Sequence, residues 1–252
     1  MEITGSAALV TGAASGLGAA TAAALAGGGV TVYGLDLPAA VSGADAPSGV
    51  TLLPADVTAE DGVRAAIARI ADDGQQLRLA VNCAGIAPSA RIVSRHGPHD
   101  LDLFRTVVGI NLIGTFNVLR LAAEAMSRLP ADAEGQRGVV VNTASIAAFE
   151  AQIGQVAYAA SKAGVAGMTV TAARDLAQYG IRVVAIAPGI VDTPMMAGMS
   201  DDVRAGLAAS VPFPKRLARP EEYARLVLMI VAHDYLNGET IRMDGALRMA
   251  PR

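Results

Sequence analysis

A short apolar run, a glycine-rich turn and an alanine-rich helix follow one another at the start of this 252-residue chain, and they constrain its fold more than any other feature. Ala7 to Thr11 predicts a buried strand, and Gly12 to Gly18 leads into a helix predicted to reach Ala26. The glycine spacing is G-x-x-x-G-x-G rather than the commoner G-x-G-x-x-G, and alone it is a weak signal. The order of strand, turn and helix nevertheless favours a dinucleotide-binding turn, in which glycines let the backbone approach a pyrophosphate at a helix N-terminus.

Apolar runs and helical patterns alternate through the rest of the chain, which predicts one α/β domain over residues 1–252. We expect a doubly wound, seven-stranded parallel sheet with helices on both faces. Six further strands are predicted at Val30–Leu35, Val50–Ala55, Leu79–Asn82, Val139–Thr143, Ile181–Ala187 and Glu239–Met243. The later helices are predicted from an N-cap at Thr58 to Ile70, over 101–129, over Gln155–Tyr179 and over Pro220–Ala232. Residues 38–49 and 86–100 are expected to form loops, and residues 190–214 a mobile cover.

Composition narrows the class of partner and the compartment. The formal net charge of -3 argues against nucleic acid as a partner. We expect no membrane partner, because no uninterrupted apolar run of spanning length stands out. The first strand begins a few residues after Met1, and Cys83 is the single cysteine. We therefore expect no targeting segment, no intrachain disulfide and a cytoplasmic protein. Cys83 has no His or Cys close by in the sequence, so no metal site is expected.

Asp36 stands at the end of the second predicted strand, where an acidic residue meets the adenosine ribose in a dinucleotide fold. An ordinary turn Asp, helped by Pro38, is the competing interpretation. The preceding glycine turn favours the ribose role.

Tyr158 and Lys162 lie four residues apart, on one face of a predicted helix, and Ser145 follows the fifth strand. A lysine ammonium one turn from a phenol favours the phenolate, and a nearby serine hydroxyl can hold a substrate oxygen. Such a set suits proton transfer to or from an alcohol or a carbonyl. Taken alone, Tyr-x-x-x-Lys is more often an ordinary surface pair, and Asn111, amid an apolar helix face, is more often a satisfied core residue.

In combination, these motifs resemble the short-chain dehydrogenase/reductase family, and the matches span nearly the whole chain. They are Thr11-Gly12-x-x-x-Gly16-x-Gly18, Asp36, Asp56-Val57, Asn82-x-Ala84-Gly85, Asn111, Ser145, Tyr158-x-x-x-Lys162 and Pro188-Gly189. So many ordered matches make the ordinary interpretations of Asn111 and of the Tyr158–Lys162 pair improbable. Within the family, four further stretches are similar to the type II 3-hydroxyacyl-CoA dehydrogenases. These are Gly114–Val118, Gln136–Glu150, Val211–Pro214 and Leu236–Glu239.

The resemblance implies oxidation of the 3-hydroxyl of an acyl-CoA by NAD, with Asn111, Ser145, Tyr158 and Lys162 as catalytic residues. It implies that Tyr158 acts as the base, that Lys162 bonds the nicotinamide ribose, and that Asn111 holds a water linked to Lys162. Substrate contacts would come from Ser145, Gln155 and Tyr158. The implied NAD contacts are Gly12, Ser15, Gly16, Leu17, Gly18, Asp36, Asp56, Val57, Cys83, Ala84, Gly85, Tyr158, Lys162, Pro188, Gly189, Val191 and Thr193. A homotetramer is implied as well.

Three alternatives stay open. A 3-oxoacyl-carrier-protein reductase working with NADPH shares the chemistry, but Asp36 speaks against it, because positions 13–15 and 37 carry no basic residue. A dehydrogenase of steroids or other secondary alcohols is the second alternative, since the stretch 87–100 departs from the animal members of the group. A protein that senses NAD without turnover is the third, and the complete catalytic set argues against it.

Overall fold

Seven parallel strands form one sheet in the computed structural model, which describes residues 1–251. In chain order the strands are β1 Ala7–Thr11, β2 Thr31–Asp36, β3 Val50–Pro54, β4 Leu77–Asn82, β5 Val93–Ser94, β6 Gly97–Pro98, β7 Gly138–Thr143, β8 Ile181–Pro188 and β9 Thr240–Met243. The sheet order is β3-β2-β1-β4-β7-β8-β9, while β5 and β6 pair separately as a small antiparallel ribbon. The order reverses between β1 and β4, which confirms the predicted doubly wound sheet and puts its switch point there.

Helices cover both faces of the sheet. They are α1 Gly16–Gly27, α2 Pro38–Ser42, α3 Glu60–Asp72, α4 Leu101–Val108, α5 Thr115–Ser127, α6 Val156–Ala177, α7 Asp201–Ser210 and α8 Pro220–Ala232. Leu25 of α1 and Val227 of α8 are buried on one face, whereas Val63 of α3 and Leu119 of α5 are buried on the other. Since both faces are covered, strands such as β4, β7 and β8 are buried along their whole length, as their unbroken apolar runs predict.

Two local predictions were wrong. Residues 38–42, expected in a loop, form the short helix α2, which has Pro38 at its first position, where the missing N–H costs nothing. Thr58 does not cap α3, whose N-cap residue is Ala59. Thr58 instead donates from its backbone N and its hydroxyl to Asp56 Oδ1, at 2.8 and 2.7 Å. The carboxylate, which is the stronger acceptor, organises this turn.

The predicted helix over 101–129 is interrupted by a π-helical segment, Gly109–Gly114, between α4 and α5. By length and composition alone, Leu101–Ser127 is apolar enough to cross a membrane, a property that the sequence analysis overlooked. However, 56% of its most apolar window is buried within the protein, which is typical of a core helix.

The π-helical segment Gly109–Gly114 determines the orientation of Asn111. The extra residue of its turn rotates the helix face, so Asn111 points inward together with Gly114.

Arg182 fastens the C-terminal end of α8 to the sheet. Its side chain extends from β8 and is buried. The guanidinium donates at 2.9 to 3.3 Å to four carbonyl oxygens, those of Ile230, Val231, His233 and Leu236. A fifth bond, from its Nε, reaches Gln136 Oε1 at 3.1 Å. These carbonyls are at a helix end, where intrahelical partners run out, so the arginine satisfies groups that would otherwise be buried without donors.

Replacement of this arginine tests its structural role. Arg182→Met should lower the free energy of unfolding by at least about 3 kcal/mol, because one buried group without its partner costs about 1–3 kcal/mol and four acceptors lose theirs together. Urea unfolding measures the loss. Arg225→Met, on the exposed side of α8, is the control and should change stability by less than about 0.5 kcal/mol. Similar losses in both variants would contradict the role.

Candidate active site

A cavity of about 560 Å³ opens at the carboxyl ends of the strands, next to the switch point. Every residue that the sequence analysis assigned to cofactor or substrate lines it: Gly12, Ser15, Gly16, Leu17, Gly18, Asp36, Asp56, Val57, Cys83, Ala84, Gly85, Ser145, Gln155, Tyr158, Lys162, Pro188, Gly189, Val191 and Thr193. Asn111, the remaining catalytic candidate, does not line the cavity, because it is fully buried. Strands that are far apart in sequence thus deliver their ends to one site.

The glycine turn leaves no space for side chains between β1 and α1. Gly12 has φ +66°, and a Cβ there would lie 2.9 Å from Ala84 N. A Cβ at Gly18 would lie 2.0 Å from Gly12 O. Ser15 precedes α1 in an extended conformation, and within the described chain its hydroxyl makes no capping bond, nor does the first turn hold an acidic residue. The N–H groups of the helix start are therefore open to an anion, which fits the pyrophosphate of a dinucleotide.

Asp36 lies beside the glycine turn, at the same end of the cavity. Its Oδ2 accepts from Ala14 N at 3.0 Å, and its Oδ1 accepts from Leu37 N at 2.8 Å. These bonds tie the carboxylate to the glycine turn and hold it at the cavity wall, where the sequence predicts the adenosine ribose. Among the cavity-lining residues of the described chain, Lys162 alone has a basic side chain.

Ser145, Tyr158 and Lys162 meet at the other end. Ser145 follows β7 and precedes a short 3-10 turn, Ile146–Ala148, and its Oγ accepts from Ala147 N at 3.1 Å. Lys162 lies one turn after Tyr158 on α6, with its Nζ 5.8 Å from the centre of the phenol ring. The ammonium is buried and donates to Thr143 O at 2.7 Å.

Burial shifts the pKa values of this pair in a direction that the sequence analysis did not foresee. Desolvation raises the pKa of Tyr158 above its usual value, although the Ser145 hydroxyl beside it acts in the opposite direction. Desolvation lowers the pKa of Lys162 to about 8. In the folded protein, burial therefore outweighs the lowering of the Tyr158 pKa expected from Lys162, because removal of water opposes both charged forms.

Asn111 secures the chain segment that follows β4. Its Oδ1 accepts from Ile86 N, and its Nδ2 donates to Ile86 O, both at 2.8 Å. The Nδ2 group also donates to Ser161 Oγ at 3.1 Å. A Cβ at Gly85 would lie 3.0 Å from Asn111 Oδ1 and 3.7 Å from Lys162 Nζ, so all three converge. The expected water between Asn111 and Lys162 stays a prediction.

Several cavity residues were missed from the sequence. Met249 lies near the end of the chain, yet it lines the cavity and packs with Ile146, next to Ser145. Met195, Met199 and Leu207 line it from the segment predicted as a cover, most of which forms α7 and a short 3-10 turn. Neither a hydrophobic period nor a sequence motif predicts that Met249 lines the cavity. Its position depends on the path that the chain takes after β9, back toward Ile146.

The doubly wound domain, the dinucleotide turn and the Ser-Tyr-Lys set in one cavity are together typical of one class of protein. That class is the enzymes that transfer a hydride to or from an alcohol or a carbonyl. A model of the short chain dehydrogenase family matches residues 6–204. The 3-hydroxyacyl-CoA dehydrogenase type-2 of Bos taurus is 50% identical over 255 residues, covering 99% of this chain and 98% of that protein. The crystal structure of 3-hydroxyacyl-CoA dehydrogenase type-2 from Mycobacterium avium has a TM-score of 0.92 and 42% identity, and covers 98% of both chains. The 3-oxoacyl-(acyl-carrier-protein) reductase of Thermotoga maritima is 34% identical over 255 residues, covering 98% of this chain and 99% of that protein.

The chain belongs to the short-chain dehydrogenase family, as its motifs predicted, and it is an oxidoreductase. The family implies a nicotinamide cofactor, and the glycine turn and Asp36 fit one. The individual site roles stay predictions.

Removal of the phenol hydroxyl tests the proposed base. Tyr158→Phe should lower kcat for alcohol oxidation by about 10²–10⁴, because a positioned acid–base group contributes that much. The Kd for NADH, followed by fluorescence, should change little. In the wild type, the oxidation rate should rise from neutral to alkaline pH, because the pKa of Tyr158 is raised and the phenolate is the active form. A variant that kept more than about a tenth of kcat would exclude Tyr158 as the base.

Proposed function

We propose that the protein is an NAD-dependent 3-hydroxyacyl-CoA dehydrogenase, which interconverts a 3-hydroxyacyl-CoA and a 3-oxoacyl-CoA. The observation that carries the proposal is that Ser145 and Tyr158 share one cavity with Asp36. One cavity can therefore hold a substrate oxygen at Ser145 and Tyr158 and an adenosine ribose at Asp36. The names of the Bos taurus and Mycobacterium avium relatives supply the substrate class.

The residues of the chain would share the reaction as follows. Ser145 Oγ accepts from Ala147 N, and its O–H, which lies beside Tyr158, would donate to the substrate oxygen. Tyr158, in its phenolate form, would take the proton of the 3-hydroxyl while the carbonyl forms and the hydride leaves the same carbon. A bound nicotinamide would supply the acceptor for that hydride. Lys162, with a pKa of about 8, gains or loses a proton near neutral pH and can pass one between Tyr158 and solvent.

The wall beside Ser145 suits an acyl chain. Ile146, Met249 and the methionines of residues 195–199 give it apolar, deformable side chains. Gln152 and Gln155 line the same cavity and are available to a polar thioester end. The wall therefore favours a flexible apolar substrate.

Arg91 and Arg95 would bind the phosphates of CoA. Both are exposed, and in the part of the chain that the structure describes neither forms a salt bridge with a carboxylate. The loop that bears them is fixed at the rim of the cavity, since Ala90 N donates to Gly154 O at 2.8 Å. Guanidinium groups pair well with phosphate.

The competing functions differ in cofactor and thioester. A carrier-protein reductase is supported by the Thermotoga maritima relative, and it would take NADPH in the reducing direction. A panel of 3-hydroxyacyl-CoA thioesters, carrier-protein thioesters and steroid alcohols, each assayed with NAD and NADP, separates the readings. Turnover of CoA thioesters with NAD supports the proposal, whereas binding of NAD with no turnover of any alcohol would favour a sensor.

Cofactor choice gives the first quantitative prediction of this proposal. The 2′-phosphate of NADP would carry roughly two negative charges near Asp36. Like unit charges about 4 Å apart repel by about 4 kcal/mol at an effective dielectric of about 20. Solvent and salt would roughly halve the repulsion of each charge, but the phosphate brings about two charges, so at least about 2.7 kcal/mol should remain. About 2.7 kcal/mol corresponds to a hundredfold preference, so kcat/KM should favour NAD by about that factor. Asp36→Ala should lose most of it. Equal efficiency with both cofactors in the wild type would move the carrier-protein reductase to first place.

Thioester recognition gives the second quantitative prediction of this proposal. The double variant Arg91→Ala/Arg95→Ala should raise KM for CoA thioesters about two- to thirtyfold, because exposed ion pairs are worth about 0.2–1 kcal/mol each and two are lost. KM for a steroid alcohol should stay unchanged. Arg105→Ala/Arg128→Ala removes two exposed arginines elsewhere and serves as the matched control. An equal change for both substrates would reduce the two loop arginines to solvated surface residues.

The oligomeric state gives the third prediction of this proposal. We propose a homotetramer, supported by exposed apolar side chains on the two long helical segments, namely Ile113, Phe116 and Val170, and by Phe213 near the carboxyl end of the sheet. Light scattering at micromolar concentration should give four times the mass of the chain. Phe116→Asp should dissociate the assembly, because it puts a charge into the contact, while Ile92→Asp, on the exposed loop, should not. A wild-type monomer would refute the proposal.

A further inference from the structure

Tyr223 is buried on the side of the sheet opposite Lys162. It extends from α8 into the core layer that contains Leu25 and Val227, whereas Lys162 comes from α6 on the other face. Its hydroxyl lies 2.7 Å from Thr143 Oγ1 and accepts from Cys83 Sγ at 3.8 Å. No exposed surface remains on Tyr223, so it cannot touch substrate or cofactor directly.

The direction of these hydrogen bonds follows from proton counting. The Thr143 hydroxyl has one proton, and Asn82 O at 2.5 Å is a nearer and stronger acceptor for it than Cys83 Sγ at 3.8 Å. Tyr223 must therefore donate to Thr143 Oγ1, and the thiol of Cys83 donates to Tyr223. Burial raises the pKa of Tyr223 well above its ordinary value, so this donor keeps its proton in the working pH range. The result is one continuous chain of donors from Cys83 to Asn82.

This chain joins the ends of β4 and β7 at the edge where the cavity opens. Asn82 pairs with Asn142 in the sheet, and the next residue of each strand carries part of the site. Cys83 lines the cavity, while the Thr143 carbonyl accepts the Lys162 ammonium at 2.7 Å. Within residues 1–251 this carbonyl is the sole hydrogen-bond partner of the Lys162 ammonium. The position of the lysine is thus determined by a backbone group whose own residue is held from the far side of the sheet.

We propose that Tyr223 is a positioning residue for Lys162, acting through Thr143 across the sheet. The proposal rests on the role of Lys162 in the reaction described above, but its test does not depend on that role. Without the Tyr223 hydroxyl, Thr143 loses a donor and the strand end loosens. The carbonyl then holds the ammonium less well, and the charged form of Lys162 becomes less favourable.

The titration of Lys162 can be followed without turnover. The chain has two lysines, Lys162 and Lys215, so ¹³C-lysine labelling gives two ε-carbon signals, and Lys215→Arg assigns them. In Tyr223→Phe the midpoint of Lys162 should fall by about half a pH unit to one, the equivalent of one ordinary hydrogen bond. The titratable groups that face Lys162 are Tyr158 and Cys83, and burial raises the pKa of both, so they stay neutral through this range. The kcat of the same variant should fall about three- to tenfold.

Tyr33→Phe is the matched control. Tyr33 is also a buried tyrosine, and its hydroxyl donates to Asp73 at 2.8 Å, on the far side of the sheet order from Thr143. Tyr33→Phe should lose similar stability but leave the Lys162 midpoint and kcat unchanged. If Tyr223→Phe does not fold, Thr143→Val breaks the same chain and should lower the midpoint, while Thr143→Ser should restore it. An unchanged midpoint in the folded variant, or an equal shift in Tyr33→Phe, would overturn the proposal. A shifted midpoint with unchanged kcat would keep Tyr223 as positioning residue and remove Lys162 from the rate-limiting chemistry.

Discussion

The contact between the glycine turn and the first turn of α1 is the constraint on which the site depends. A Cβ at Gly18 would lie 2.0 Å from Gly12 O, so the helix can begin this close to β1 with glycine alone. That proximity aims the N–H groups of α1 into the cavity. It also allows Ala14 N to bond Asp36, which joins the turn to the end of β2. Anion binding and ribose recognition therefore follow from one close packing of backbone against backbone.

At the other end of the cavity, where Lys162 and Tyr158 lie, attraction between opposite charges competes with desolvation. Lys162 and Tyr158 are close enough to attract each other as ions, but both are removed from water, and desolvation opposes each charged form. The structure therefore contains a neutral phenol beside a lysine whose pKa is near 8. A lysine poised in this way can change its protonation with little cost, which suits a relay better than a fixed charge would. The geometry that makes this possible is a single carbonyl contact, from Thr143.

The sequence predicts most of the fold and of the cavity, because most predicted site residues lie at or just after the end of a strand, or near the start of a helix. Tyr158 and Lys162, for example, need no tertiary information beyond a four-residue spacing. Asn111 is harder, because its inward orientation depends on a π-turn that no period of 3.6 predicts. Met249 and Tyr223 are harder still, since their positions arise from contacts between segments that are distant in sequence. The direction of the pKa shifts is hidden for the same reason, since burial is a property of the folded chain.

The π-segment between α4 and α5 makes chain length itself a structural variable. Each residue in a helix turns its face by about 100°, so the number of residues between Val108 and Thr115 determines how the two helices face the sheet. One residue fewer would turn Asn111 away from Ile86 and carry buried Val107 toward solvent. The loop at residues 87–100 has no such requirement, because it is largely exposed. The two stretches thus differ in how they accommodate insertions and deletions. The π-segment requires a fixed number of residues, whereas the loop at residues 87–100 can change in length and so change the rim of the cavity.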